Sequence, residues 1–398
     1  MTSVIIKQHQ SRATLQAEAH ARPPLELREH ERDVWHWVLF DRDPNGPWPL
    51  GIDRTARHQI IDFADGRLRI EHHTEFLACT YVAAAPPPEE VMETLAEFGG
   101  TMLTGVQIMV RGRKEKADLS DVFTGDRLFG GAVNDGRFTL STDFQINGAG
   151  FVPYMIIGDI VDRFQVARLV KKIIDLEAYR MASLLGFALA QDKAARLKCL
   201  ERRATEITQS IADVTDTHLE RSIGKMAALL GETTVMRSEV RYRFGASFAY
   251  YDIVEDRLAR LAEVPVPGQG TVKTFTELRL SPAIKTLRSF ENRLHTLSDD
   301  LSAAMALIQT RLDQQVQRQN QELLKSMNQR ARQQVLLAQA VEGLSIVAIT
   351  YYAVGLIGYA VKGVPGLPVD PKLLMAVAIV PVAALVWWTV RRARRKLG

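Results

Sequence analysis

Gly343 to Val361 reads GLSIVAITYYAVGLIGYAV, and Leu373 to Val390 reads LLMAVAIVPVAALVWWTV. Neither run contains a charged side chain, and they hold 19 and 18 residues. At the rise of an α-helix they extend about 28 and 27 Å, close to the roughly 30 Å of a bilayer's hydrocarbon. Between them lie Lys362 to Lys372, with Pro365, Pro368 and Pro371, a loop that continues neither helix and reverses the chain. The pattern predicts a transmembrane hairpin with spans at 343–361 and 373–390. Its loop carries Lys362 and Asp370, which are candidate site residues.

The second run leads into Arg391, Arg392, Arg394, Arg395 and Lys396. The positive-inside rule places such a cluster on the cytoplasmic side, where it suits lipid headgroups. A hairpin returns to its starting side, so residues 1 to about 340 are expected in the cytoplasm too. A helical hairpin buried in a soluble core is the alternative, and it has to account for Trp387 and Trp388 beside a basic tail.

The formal net charge is +4, and the five basic residues of the tail account for all of it, leaving −1 for the rest. The basic pI therefore points to a membrane surface and away from nucleic acid. Cys79 and Cys199 fit no disulfide framework or zinc spacing, which suits a reducing compartment. No signal peptide is expected, since Met1 to Gln10 holds no long apolar run before a cleavage site.

Upstream of the hairpin the chain is charged and water-soluble in character, and its pattern is that of an α+β protein. Strand candidates are Trp35 to Phe40, Leu68 to Thr74, Phe76 to Val82, Met102 to Arg111, Phe138 to Phe144 and Phe151 to Ile157. One helix, Pro88 to Phe98, interrupts them and stops at Gly99-Gly100; Gly130-Gly131 reads as another turn. An N-terminal α/β domain is expected over 1–158. A helical domain over 159–280 follows, with Asp159 as the cap of its first helix and a break at Val264 to Gly268. The next helix is expected near Ser281-Pro282. Leu294, Leu297, Leu301, Met305, Ile308, Leu312 and Val316 recur in steps of three and four, and neither proline nor glycine occurs between Ala283 and Glu342. That predicts a stalk helix over 281–340 feeding a membrane segment over 341–398; two packed helices with a break near Gln319 fit the same stretch.

Two groups of side chains offer chemistry. Ser345, Tyr352 and Tyr359 are seven residues apart and share one stripe of the first apolar helix, with Glu342 close to the same line. A polar stripe on a membrane helix faces a bundle interior or a water-filled path. In an assembly of several copies it would line a pore with Glu342 at the cytoplasmic mouth; bonding to the second span, or anchoring of the tyrosines at the interface, explains it as well. In the soluble part, Glu71, His73 and Glu75 alternate, and a strand would put them on one face. Such a row holds a divalent cation only if a neighbouring strand adds a ligand, and a solvated strand face is the competing reading. The chain has no phosphate-binding loop, dinucleotide fingerprint or nucleophile elbow, so no enzyme and no organic cofactor are expected.

His20 to Leu25 (HARPPL), His73 to Phe76 (HTEF), Asp175 to Met181 (DLEAYRM), Arg243 to Tyr250 (RFGASFAY) and the closing double span resemble a bacterial family of uncharacterised membrane-anchored proteins, domain of unknown function 3422. That resemblance covers nearly the whole chain and implies the bacterial inner membrane. In layout the chain also resembles the CorA superfamily of divalent-cation channels, pentamers whose first span lines the pore. The region of that family's Gly-Met-Asn signature here reads Gly355 to Gly363 without the motif and with Lys362 in it. The likeness implies a CorA-like homo-oligomer that conducts an ion, and a membrane-anchored scaffold or sensor without transport is the alternative.

Overall fold

The computed structural model describes residues 9–19, 23–43, 45–115, 119–212, 219–363 and 370–397. The chain divides into two compact units, Met1–Met305 and Ala306–Gly398. The divisions expected at 158 and 280 both fall inside the first.

That unit opens with α1 (Arg12–Ala19) and continues with β1 (Asp33–Phe40), β2 (His58–Phe63), β3 (Gly66–His72), β4 (Leu77–Ala83), α2 (Glu89–Glu97) and β5 (Thr101–Gly112). β6 (Phe129–Val133), β7 (Phe138–Thr142) and β8 (Val152–Gly158) follow, then α3 (Arg163–Ala212), α4 (Leu219–Leu261), β9 (Val264–Pro265) and the start of α5 (Val272–Lys362). The nine strands form one sheet in the order β2-β3-β4-β1-β5-β8-β7-β6-β9. Pairing is parallel between β5 and β8 and antiparallel elsewhere.

All of β4 and nearly all of β1 is buried, as a sheet covered on both faces requires. On one face Trp35, Trp37, Leu68, Ile70 and Tyr81 pack with Val91, Leu95 and Phe98 of the α2 segment. On the other, Val38, Phe40, Phe76 and Ala78 meet Ala178 and Ala182 of α3, with Tyr250 of α4 alongside. The two alanines let α3 lie close to the strands, and each large apolar side chain fully buried here contributes about 1.5–3 kcal/mol. The helices are themselves tightly joined: Gly186 N–H donates to Ser247 Oγ at 3.1 Å, and a Cβ on Gly186 would stand 2.5 Å from that oxygen.

Several expectations are corrected. Gly130 and Gly131 are not a turn but the middle of β6, where glycine is required by close pairing: Gly130 has φ +151°, and a Cβ there would come within 1.9 Å of Leu140 O. Val264-Pro265 does end the preceding helix, yet it also pairs with β6 as β9. The strand over 68–74 ends at His72. Asp162 rather than Asp159 caps α3, its carboxylate accepting from Gln165 N–H at 3.2 Å. α5 starts ten residues before Pro282, because Thr271 Oγ accepts from Thr274 N–H and Glu263 accepts from Val272 and Lys273 N–H. It then runs through Gln319 without a break.

In the second unit the apolar stretches lie on α5 and on α6 (Pro371–Leu397). Both helices are long and apolar enough to cross a membrane. Only 11% of the first apolar window and 0% of the second is buried, whereas the core helices of a soluble protein are mostly covered. The two approach at Gly358, where a Cβ would meet Met375 Sδ at 2.5 Å.

Candidate functional site

Glu71, His73 and Glu75 do not share a strand face. Glu71 is the penultimate residue of β3, and the chain then turns, with His73 N–H donating to Phe76 O at 3.0 Å. Glu71 is fully buried, one oxygen 2.9 Å from an Arg69 nitrogen and the other 3.0 Å from Lys171 Nζ. Lys171 also contacts Asp175 at 3.0 Å, and Asp175 lies 3.4 Å from Arg257. Burial alone would raise the Glu71 pKa, but the Lys171 charge and the Arg69 hydrogen bond outweigh it and hold the carboxyl well below its ordinary range. Lys171 is likewise desolvated, yet Asp175 and Glu71 keep its pKa above the usual value.

Glu75 is bound separately. Tyr250 Oη donates to it at 2.5 Å and Arg243 lies 3.1 Å away. Burial opposes these contacts, but hydrogen bonding from Tyr250 and Tyr242 and the Arg243 charge prevail and lower its pKa. The His73 ring stacks on Phe76 at 4.2 Å, and its Nδ1 is 3.4 Å from Tyr179 Oη. Among the described residues no group of three or more His, Cys, Asp or Glu side chains is arranged to hold a metal ion.

What the fold does bring together is the set of short strings singled out in the sequence. His73, Glu75 and Phe76 meet Tyr179 from α3 and Arg243 and Tyr250 from α4. Besides its bond to Glu71, Arg69 donates to the carbonyls of Pro23 and Pro24, at 2.6 and 3.1 Å. His20, Ala21 and Arg22 lie outside the described residues. His36 of β1 is buried, its Nδ1 2.8 Å from Thr80 Oγ1 and its Nε2 without a hydrogen-bond partner among the described residues. Desolvation, with Lys171 nearby, depresses its pKa to about 3. A second buried pair, Glu177 with Arg180 at 2.6 Å, accepts a hydrogen bond from Tyr154 Oη at 2.6 Å. Lys171 is not identifiable from the sequence as a partner of Glu71, since the contact between them spans 100 residues.

In the second unit Tyr352 and Tyr359 are 70% and 77% exposed, and among the described residues no hydrogen bond joins either hydroxyl to α6. They border an open groove between the helices, with Met375, Ile379 and Ala383 across from them. Ser345 Oγ donates to Val341 O at 2.8 Å within its own helix, and Glu342 lies one residue after Val341 on α5. Lys362 is the last residue of α5; Asp370 caps α6, its carboxylate 2.9 Å from Lys372 N and its carbonyl accepting from Leu373 and Leu374. Arg391 and Arg392 lie over the rings of Trp387 and Trp388 at 4.7 and 5.1 Å. The side chains of Arg394, Arg395 and Lys396 lie outside the described ones.

A family profile described as "Protein of unknown function (DUF3422)" matches residues 50–397. The chain belongs to that family. No curated protein matches this DUF3422 chain. Among solved structures it is similar to the full-length CmaX protein, at 14% identity over 92% of this chain and 98% of that one, with a TM-score of 0.21. It also matches Tar14, a tryptophan C-6 flavin-dependent halogenase from taromycin biosynthesis, at 10% identity over 74% of this chain and 56% of the other, with a TM-score of 0.17. Superposition is poor in both cases, and neither carries a functional argument for the DUF3422 chain.

Proposed function

We propose that this DUF3422 protein is an integral inner-membrane homo-oligomer, built in the manner of a CorA channel, in which the first span lines a path for an ion. The hairpin of α5 and α6 crosses the bilayer twice, both termini are cytoplasmic, and the basic tail lies against lipid headgroups. Five copies around an axis would turn the Ser345, Tyr352 and Tyr359 stripe toward a common lumen, with Glu342 at its cytoplasmic end and Lys362 and Asp370 at the outer loop. The protein acts as a conduit and not as an enzyme.

One observation carries this reading: Tyr352 and Tyr359 are exposed and, among the described residues, unbonded to α6 although they lie beside the groove it forms. A phenol facing lipid is costly, so these groups call for water or another copy of the chain. The Ser345 bond to Val341 O favours a second reading, a membrane tether without transport, because it satisfies that hydroxyl inside its own helix.

Flux of several cations and anions into liposomes holding the purified protein separates the two. Conduction predicts flux above that of empty liposomes, and a changed rate or selectivity in Tyr352→Ala with the oligomer intact. No flux with any ion, or a monomer in mild detergent, would overturn conduction and leave the tether.

A further inference from the structure

We propose that a cavity of about 490 Å³ beside the turn between β3 and β4 binds a small, soluble phosphorylated metabolite that also carries hydroxyl groups. This inference is independent of the transport reading. The volume lies within the usual range for small-molecule sites, roughly 300–1,000 Å³.

Two guanidinium groups define the anionic end. Arg42 and Arg54 both line the cavity and lie 4.6 and 5.9 Å from the centre of the Trp48 ring. Neither is ion-paired with a carboxylate among the described residues, whereas the third arginine of the lining, Arg243, is held by Glu75. Arg42 spends its ε N–H on Phe98 O at 2.7 Å, which fixes the group and leaves its terminal nitrogens to the cavity. Burial lowers the Arg42 pKa, and the charge of Arg54 lowers it further. The indole face offsets part of that repulsion through cation–π attraction, and a doubly charged oxyanion would offset the remainder with charge-assisted bonds to both arginines.

Carboxylates in the same lining supply acceptors. The Glu75 side chain is 7% exposed; Tyr250 and Arg243 take one oxygen, the Tyr242 hydroxyl in the same lining also interacts with the carboxylate, and Oε1 is buried with no well-aligned hydrogen-bond partner among the described residues. A buried carboxylate oxygen in that state calls for a donor, which a ligand hydroxyl provides. Asp41 and Asp43 also line the cavity, each with one oxygen already accepting a bond, from Thr101 and Asn45 N–H respectively, and the other oxygen of each adds a further acceptor. A phosphate at the arginines and hydroxyls at the carboxylates match the class of sugar phosphates and nucleoside monophosphates. The wall is mostly charged and polar, which suits a soluble metabolite and gives no seat to the acyl chains of a phospholipid.

The test is isothermal titration of the full-length protein in detergent micelles with inorganic phosphate, glucose 6-phosphate and adenosine monophosphate, with glucose, glutamate and phosphatidic acid as comparisons. At least one phosphate ester is expected to bind one per chain, about tenfold or more weaker in Arg54→Gln and Arg42→Gln and unchanged in Arg237→Gln. Arg54 and Arg237 are exposed, so their replacement leaves the fold intact. Four results would overturn the proposal: no binding of any phosphate at millimolar concentration, unaltered binding in Arg54→Gln, binding of glutamate but of no phosphate ester, or displacement of the ester by phosphatidic acid.

Discussion

His36 makes the stability of the first unit depend on pH in a window where few other groups act. It is 2% exposed, and the charges facing it are Lys171, His73 and Arg69, against Glu71 alone of opposite sign. Its pKa falls from 6.5 in the unfolded chain to about 3 in the fold. A depressed folded pKa means that stability is complete above pH 6.5 and is lost as pH falls toward about 3, because the unfolded chain takes up a proton that the native one refuses. Each pH unit in that interval is worth about 1.4 kcal/mol, so two units, from pH 6.5 to 4.5, remove roughly 2.7 kcal/mol. The buried carboxylates Glu71 and Glu75 are also depressed, but their losses begin only near the ordinary carboxylate range, below this window. His58 is depressed by burial and contributes equally with or without His36. Urea unfolding followed by the fluorescence of Trp35 and Trp37, which flank the residue in β1, reads the effect. His36→Gln is expected to flatten the pH dependence by about one proton, so that the gap between wild type and variant changes by roughly 2–3 kcal/mol across the window. Parallel curves for the two proteins would refute a buried neutral imidazole at this position.

Three further outcomes are expected. Lys171→Met leaves the buried Glu71 with Arg69 alone, and should lower unfolding free energy by about 3 kcal/mol in the same urea assay. Tyr250→Phe removes the hydroxyl that donates to Glu75 and should cost about 2 kcal/mol, as expected for a hydrogen bond to a charged group. Gly130→Ala should abolish soluble folding of the sheet, measured as loss of β-type circular dichroism or of expression, since its Cβ would collide with Leu140 O; Gly148→Ala, whose Cβ meets nothing within 4 Å, should be tolerated.

The strands that could be read from the sequence were those with unbroken apolar runs, such as Trp35 to Phe40 and Phe151 to Ile157, because burial on both faces writes itself into composition. β6 was hidden since its two glycines carry no side-chain signal, and their role, close backbone approach to β7 and β9, exists only once those strands are paired. The start of α5 was hidden for a related reason: a proline ten residues into the helix was the more visible cue than Thr271 and Glu263, whose capping bonds come from both sides of a turn. Alternation in Glu71, His73 and Glu75 could not reveal that the strand stops at His72, nor that the cations meeting the carboxylates come from α3 and α4. The apolar runs near the C-terminus were legible in full as helices, since an uncharged run of that length needs no tertiary partner to declare itself.

The disposition of the hairpin across the bilayer is most directly measured by labelling cysteines with a membrane-impermeant maleimide in intact spheroplasts. Cys199 is exposed in the first unit, and Cys79 is buried. In a Gly363→Cys variant, the turn after α5 should be labelled from outside, whereas Cys199 should react only after the membrane is permeabilised. Protection of the cysteine at 363 until permeabilisation, in step with Cys199, would contradict a double crossing.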